Sequence, residues 1–192
     1  MKQYSREYPR FSLCGLNCGL CPRYHAEGPS RCPGCGGPDF ALKHPSCAVI
    51  TCNKNHDQVE YCYQCSSYPC QRYSGGGDAD SFISYRNVAS DFKKAATEGL
   101  DLYKIDLEQK IEILNFFLSN FNDGRKKSFY CNAINQLEIA DLKEIMDRLS
   151  KASNGGAVHR AASLKEKAER AVSLIENKAA EKNVDLKLRK SK

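Results

Sequence analysis

The chemistry available to this chain lies in its sulfur. Of 11 cysteines in 192 residues, ten fall in one stretch: Cys14, Cys18, Cys21, Cys32, Cys35, Cys47, Cys52, Cys62, Cys65 and Cys70. Three Cys-x-x-Cys pairs stand out within it, Cys18/Cys21, Cys32/Cys35 and Cys62/Cys65. Such a turn offers two thiolates to one ion, and zinc takes four soft ligands tetrahedrally, so two turns close one site. Cys32-Pro33-Gly34-Cys35-Gly36 has the small-residue turn of a zinc knuckle, whose glycines let backbone amides point at the sulfurs. Cys18, Cys21, Cys32 and Cys35 make one candidate site from consecutive pairs. Cys47, Cys52, Cys62 and Cys65 make a second, and cross-braced pairing is equally allowed. Cys14 and Cys70 are left over; either they replace assigned members or the thiols share a multinuclear cluster.

Other readings of the same thiols weigh less. Cys14-x3-Cys18-x2-Cys21 has the spacing by which radical-SAM enzymes hold a four-iron cluster, but the alternating β/α pattern of their barrel is missing. A simpler iron–sulfur cluster is the better rival to zinc, and Cys21-Pro22 resembles the end of a ferredoxin ligand run. A disulfide framework is disfavoured, because the count is odd and the first ten residues hold no apolar leader. That leader's absence, with no apolar run long enough for a bilayer, leads us to expect a cytoplasmic protein away from membranes. His25, His44 and His56 lie among the cysteines and could complete a site, though each reads first as a surface or supporting histidine. Cys131 falls on a predicted helix and reads as a buried apolar residue. No acid–base pair, nucleophile–base pair or phosphate loop is recognisable, so the reading leans away from an enzyme.

Charge adds little. The formal net charge of +6 counts cysteine as neutral, and two four-thiolate zinc sites would lower it to +2. Basicity is therefore weak support for nucleic acid. Tyrosines crowd the cysteine region and could stack on bases; with little Leu or Ile nearby, they serve better as its local core. Gly124-Arg125-Lys126-Lys127-Ser128 could hold a phosphate but reads better as a solvated basic turn. A protein partner is the remaining possibility.

The elements that must position these thiols follow from composition. Residues 1–73 lack long apolar periodicity, as metal-stapled modules do. Ser74-Gly75-Gly76-Gly77 reads as a hinge, and residues 78–192 read as a helical domain. Asp78 or Asp80 would cap a helix carrying Phe82, Tyr85, Ala89, Phe92 and Ala96, closed by Gly99. A second carries Leu107, Ile111, Ile113, Leu114, Phe117, Leu118 and Phe121, ended by Asn122-Asp123-Gly124. A shorter one spans 128–136 with Phe129, Ala133 and Ile134, followed by Leu137. Asp141-Leu142-Lys143-Glu144 resembles a capping box opening a fourth, with Leu142, Ile145, Met146 and Leu149 inward. After a loop at Ser153-Asn154-Gly155-Gly156, a last helix shows Leu164, Ala168, Ala171, Ile175 and Ala179. Val184–Arg189 alternates as a strand would, and its only evident partner is Phe11–Leu13. The expected fold is mainly α: an irregular, small, metal-stapled, zinc-knuckle-like N-terminal module, a C-terminal helical domain and a short terminal strand.

The motif as a whole resembles a known family. Cys14-Gly-Leu-Asn-Cys18-x2-Cys21-Pro-Arg-Tyr24, Cys32-Pro-Gly-Cys35, Cys47-x4-Cys52 and Cys62-x2-Cys65-x2-Tyr68-Pro-Cys70 are similar to the family catalogued as domain of unknown function 3795. The similarity extends to Gly124–Cys131 and Val184–Arg189, nearly the whole chain. It implies a small cysteine-rich, metal-binding protein and supplies no reaction.

Overall fold

Beyond residue 87 the three-and-four spacing of apolar residues becomes five packed helices. The computed structural model describes residues 4–44, 46–74, 79–154 and 163–190. In chain order there are a 3-10 turn at Cys18–Leu20, α1 (Phe40–Lys43), α2 (Ala48–Lys54), a second 3-10 turn at Cys62–Gln64, and α3 (Gln71–Ser74). Then come α4 (Val88–Thr97), α5 (Leu100–Phe121), α6 (Lys127–Gln136), α7 (Ile139–Asn154) and α8 (Leu164–Glu181). The expected hinge falls largely outside the described residues.

α5 is the axis. It packs against α4, α6, α7, α8 and the 3-10 turn at Cys18. Tyr103, Leu107, Ile111, Ile113, Leu114, Phe117 and Phe121 are buried along it, the expected stripe extended by one turn. α6 is buried along almost its whole length, with Tyr130 through Leu137 all inside, so it has no solvent stripe. α8 starts on a capping box in which Ser163 and Glu166 satisfy each other's backbone N–H groups.

Four helical details depart from expectation. α4 begins at Val88, not near residue 80, and buries Val88, Phe92 and Ala95, while Phe82, Ala89 and Ala96 are exposed. Asp80 caps nothing there; its carboxylate instead accepts hydrogen bonds from Tyr85 and Arg189. α7 opens at Ile139, so Asp141 sits inside the first turn and pairs with Lys182 at 3.2 Å. Leu164 stands at the exposed mouth of α8, outside its buried stripe.

The terminal strand does not form, and no strand occurs among the described residues. Side chains take the carbonyls that a ladder would have used. Arg86 donates to the Asp185 and Lys187 carbonyls at 2.9 and 2.7 Å, and Asn132 donates to the Leu186 carbonyl. Arg189 closes the strap on Asp80 at 2.8 Å. The tail thus lies along α6 and the approach to α4, not beside Phe11–Leu13.

The cysteine-rich segment shares its core with the helices. Phe11, Leu20 and Tyr61 join one buried cluster with Ile83, Phe92, Leu107, Leu114, Ile134, Leu142 and Ile175. Phe11 sits among three rings, 5.0 Å from Tyr61, 5.8 Å from Phe92 and 4.6 Å from Tyr103. Tyr63, Tyr68 and Tyr73 also meet Phe92. The tyrosines are core as expected, but it is a core they share with α4 and α5. Gly19 shows how close the approach is: a Cβ there would stand 2.4 Å from Ile111 Cδ1. A small second cluster of Leu13, Cys35, Phe40 and Ile50 lies beneath the thiols.

Candidate functional site

Residues 6–13 form a spine on which each cysteine turn hangs. Arg6 N–H donates to the Gly36 carbonyl at 3.0 Å, and Cys35 N–H to Pro9 at 2.9 Å. Gly19 N–H donates to Arg10 at 2.9 Å, and Cys62 N–H to Leu13 at 2.9 Å. Three turns far apart in sequence are thereby drawn to one segment. Gly34 is required by this arrangement. Its φ is +84°, and a Cβ would sit 2.4 Å from the Pro9 carbonyl oxygen.

The polar groups beside the sulfurs come from residues other than the knuckle glycines Gly34 and Gly36. Cys14 Sγ lies 3.2 Å from Ser12 Oγ, which itself accepts from Leu16 N–H at 2.7 Å. The backbone at Cys35 favours the Cys18 thiolate, that at Arg23 and Tyr24 the Cys21 thiolate, and that at Leu13 the Cys35 thiolate. Burial outweighs these influences in the free thiols. It pushes Cys14, Cys18 and Cys21 up, and Cys35 and Cys62 to about 11. Arg6 opposes burial at Cys35 from a nearly sealed position, paired with Glu60 and stacked 4.5 Å over the Tyr61 ring.

The thiols group differently from their order in the chain. Cys14 acts electrostatically on Cys18 and Cys35 and feels Cys47, and Cys18 also feels Cys35 and Cys21. Cys52, Cys62, Cys65 and Cys70 line one cavity of about 30 Å³, walled by Val49, Val59, Tyr68 and Tyr73 with His56 and Arg72. Cys21 neighbours Cys32 and presses on fully buried Cys131, which burial raises to about 12. Cys47 is the N-cap of α2 and Cys52 lies within that helix. Among the described residues no three His, Cys, Asp or Glu side chains are gathered in the shape of a finished metal shell.

The histidines fall into three places. His56 lines the thiol cavity. His25 sits 2.7 Å from the Gly19 carbonyl, and burial lowers its pKa. His44 stacks on Phe40 at 4.7 Å. The basic turn at 124–128 is closed on itself, its amides given to Asn122 and Asp123, so it offers no phosphate cradle. Three neighbours of the thiols escape sequence reasoning: Arg6, Tyr73, whose hydroxyl joins Cys62 to the Cys14 carbonyl, and Tyr85. None lies in a motif, and only the folded chain brings them near sulfur.

The fold and these thiols define a mainly helical protein with a cysteine-rich N-terminal segment docked on it. Residues 10–75 match the model of the family described as protein of unknown function (DUF3795). The match covers the thiol segment with α1–α3, not α4–α8 or the tail. No curated protein and no solved structure matches the chain. Among the described residues no helix is long and apolar enough to cross a membrane.

Proposed function

We propose that this protein binds metal through two neighbouring four-thiol sets, Cys14/Cys18/Cys35/Cys47 and Cys52/Cys62/Cys65/Cys70, with structural zinc as the occupant and no reaction of its own. The observation that carries the reading is the cavity with four cysteines in its wall. A donor set of thiols and one imidazole, with no carboxylate, suits zinc over magnesium or calcium. Zinc sits about 2.3 Å from thiolate sulfur, so these side chains must turn inward around it. Arg6 beside the first set and Arg72 beside the second would offset the negative charge of the thiolates. Cys21 and Cys32 serve here as a third, smaller thiol group with Cys131.

Metal analysis with an absorption spectrum, on protein purified without oxygen or a metal-affinity tag, tests this directly. Two zinc per chain and no visible absorption are expected. The grouping has its own test in Cys47→Ser/Cys52→Ser. This double variant loses both equivalents if the two cysteines serve different sites, and only one if they share a site.

An iron–sulfur cluster is the second reading, and one observation favours it. Cys14 acts on Cys62 as well as on its own set, so the thiols form one continuous network. Iron, acid-labile sulfide and visible absorption would decide for it.

A further inference from the structure

A cavity of about 110 Å³ opens between α4, α5 and the start of α7, on the far side of Asn17 from the thiols. Its wall includes Asn17, Asp91, Lys94, Tyr103, Lys110 and Glu138. Lys94 at the rim is already matched to Asp106 at 2.5 Å. Asp91 and Lys110 are different. Among the described residues neither belongs to an ion pair. Lys110 Nζ makes one long hydrogen bond, 3.3 Å to the Asn135 carbonyl, leaving two ammonium protons for the cavity. Asp91 accepts from Asn17 Nδ2 at 3.0 Å.

Asp91 and Lys110 are partly buried in one cavity wall and attract each other without touching, so each keeps part of its desolvation cost. Burial drives Asp91 up to about 6 and Lys110 down, against the mutual attraction and the pull of Glu138 on Lys110. The polar frame holds the carboxylate in place. Tyr103 donates to Asn17 Oδ1 at 2.8 Å, and Asn17 Nδ2 also donates to Asn135 Oδ1 at 2.9 Å. Asn17 is thereby saturated, and Asp91 cannot swing to Lys110 without breaking that frame.

We propose that this cavity binds a small zwitterion, a free α-amino acid, with its ammonium on Asp91 and its carboxylate on Lys110. A ligand bearing both charges a few ångströms apart satisfies both walls at once. An amine or a carboxylate alone leaves one wall unpaired. Size sets the class further. A cavity of about 150 Å³ holds benzene, with its six heavy atoms, so this one holds about four. Glycine, with five, fills it, and a larger side chain must extend out of it. Glu138 in the wall disfavours acidic side chains.

The test is calorimetric titration of the full chain with glycine and L-alanine, against methylammonium and acetate as single-charge probes. Glycine or alanine is expected to bind at least tenfold more tightly than either single-charge probe. Asp91→Asn and Lys110→Met are each expected to weaken that binding tenfold or more, with circular dichroism showing retained helix. No heat and no chemical-shift change with either amino acid at 20-fold excess over millimolar concentration would overturn the proposal, leaving a water-filled cavity. Binding that matches acetate, or that survives both substitutions, would overturn it equally. The ligand comparison needs only the unaltered protein, so a misfolded variant cannot hide the answer.

Discussion

Phe11→Ala asks whether the cysteine segment and the helices stand or fall together. Phe11 has no exposed surface and touches Tyr61 from its own segment and Phe92 and Tyr103 from α4 and α5. Removing the ring forfeits about 2–3 kcal/mol of apolar transfer. Three lost ring contacts and the residual cavity bring the total to about 4 kcal/mol. For a chain of this length each kcal/mol lowers Tm by about 2–4 °C, so a drop of about 8–16 °C is expected. The assay is thermal and urea unfolding followed by far-ultraviolet circular dichroism, which is dominated by α4–α8, and by tyrosine fluorescence, to which residues 1–73 contribute seven of the ten tyrosines. Both signals should move to the same lower midpoint. Leu42→Ala, at a side chain 85% exposed, is the control and should stay within about 0.5 kcal/mol of the parent. If the tyrosine signal falls and the helical signal holds its midpoint, the shared core is refuted and the segment is an independent unit.

Three further outcomes follow from other parts of the fold. Gly34→Ala forces a left-handed φ on alanine and drives its Cβ into the Pro9 carbonyl, so a loss of about 2–3 kcal/mol and of metal content is expected by melting and metal analysis. Asp80 is pushed up by burial, but the Arg189 side chain and backbone N–H outweigh this and hold it at about 2. A depressed carboxylate contributes stability above its ordinary value near 4 and loses it as pH falls from there through about 2. Asp80→Asn should therefore cost about 1–2 kcal/mol at pH 7, discounted for the partly exposed arginine, and clearly less at pH 2, where about half of the Asp80 carboxyl is protonated; equal loss at both would remove the tail's ionic strap. If the metal reading holds, chelation under reducing conditions should cut amide exchange protection at least tenfold across residues 14–70, with a smaller change in α8; unchanged protection would mean the metal, if bound, stabilises nothing there.

Much of this protein is legible in its residues. The cysteine-rich segment and the long helices at 100–121 and 164–181 follow from spacing and periodicity, because local geometry alone produces them. Burial of Cys131 follows in the same way, from an apolar residue on a buried helix. What the sequence left open is which distant turns meet. Cys35 comes near Cys14 and Cys18 because residues 6–13 bond to three cysteine turns at once. The tail alternates like a strand, but Arg86 and Asn132 reach its carbonyls first, so no ladder forms. Asp91 and Lys110 carry no motif and lie 19 residues apart on separate helices. Their meeting at one cavity depends on how α4 packs on α5, and spacing along a chain cannot encode the gap left between two packed helices.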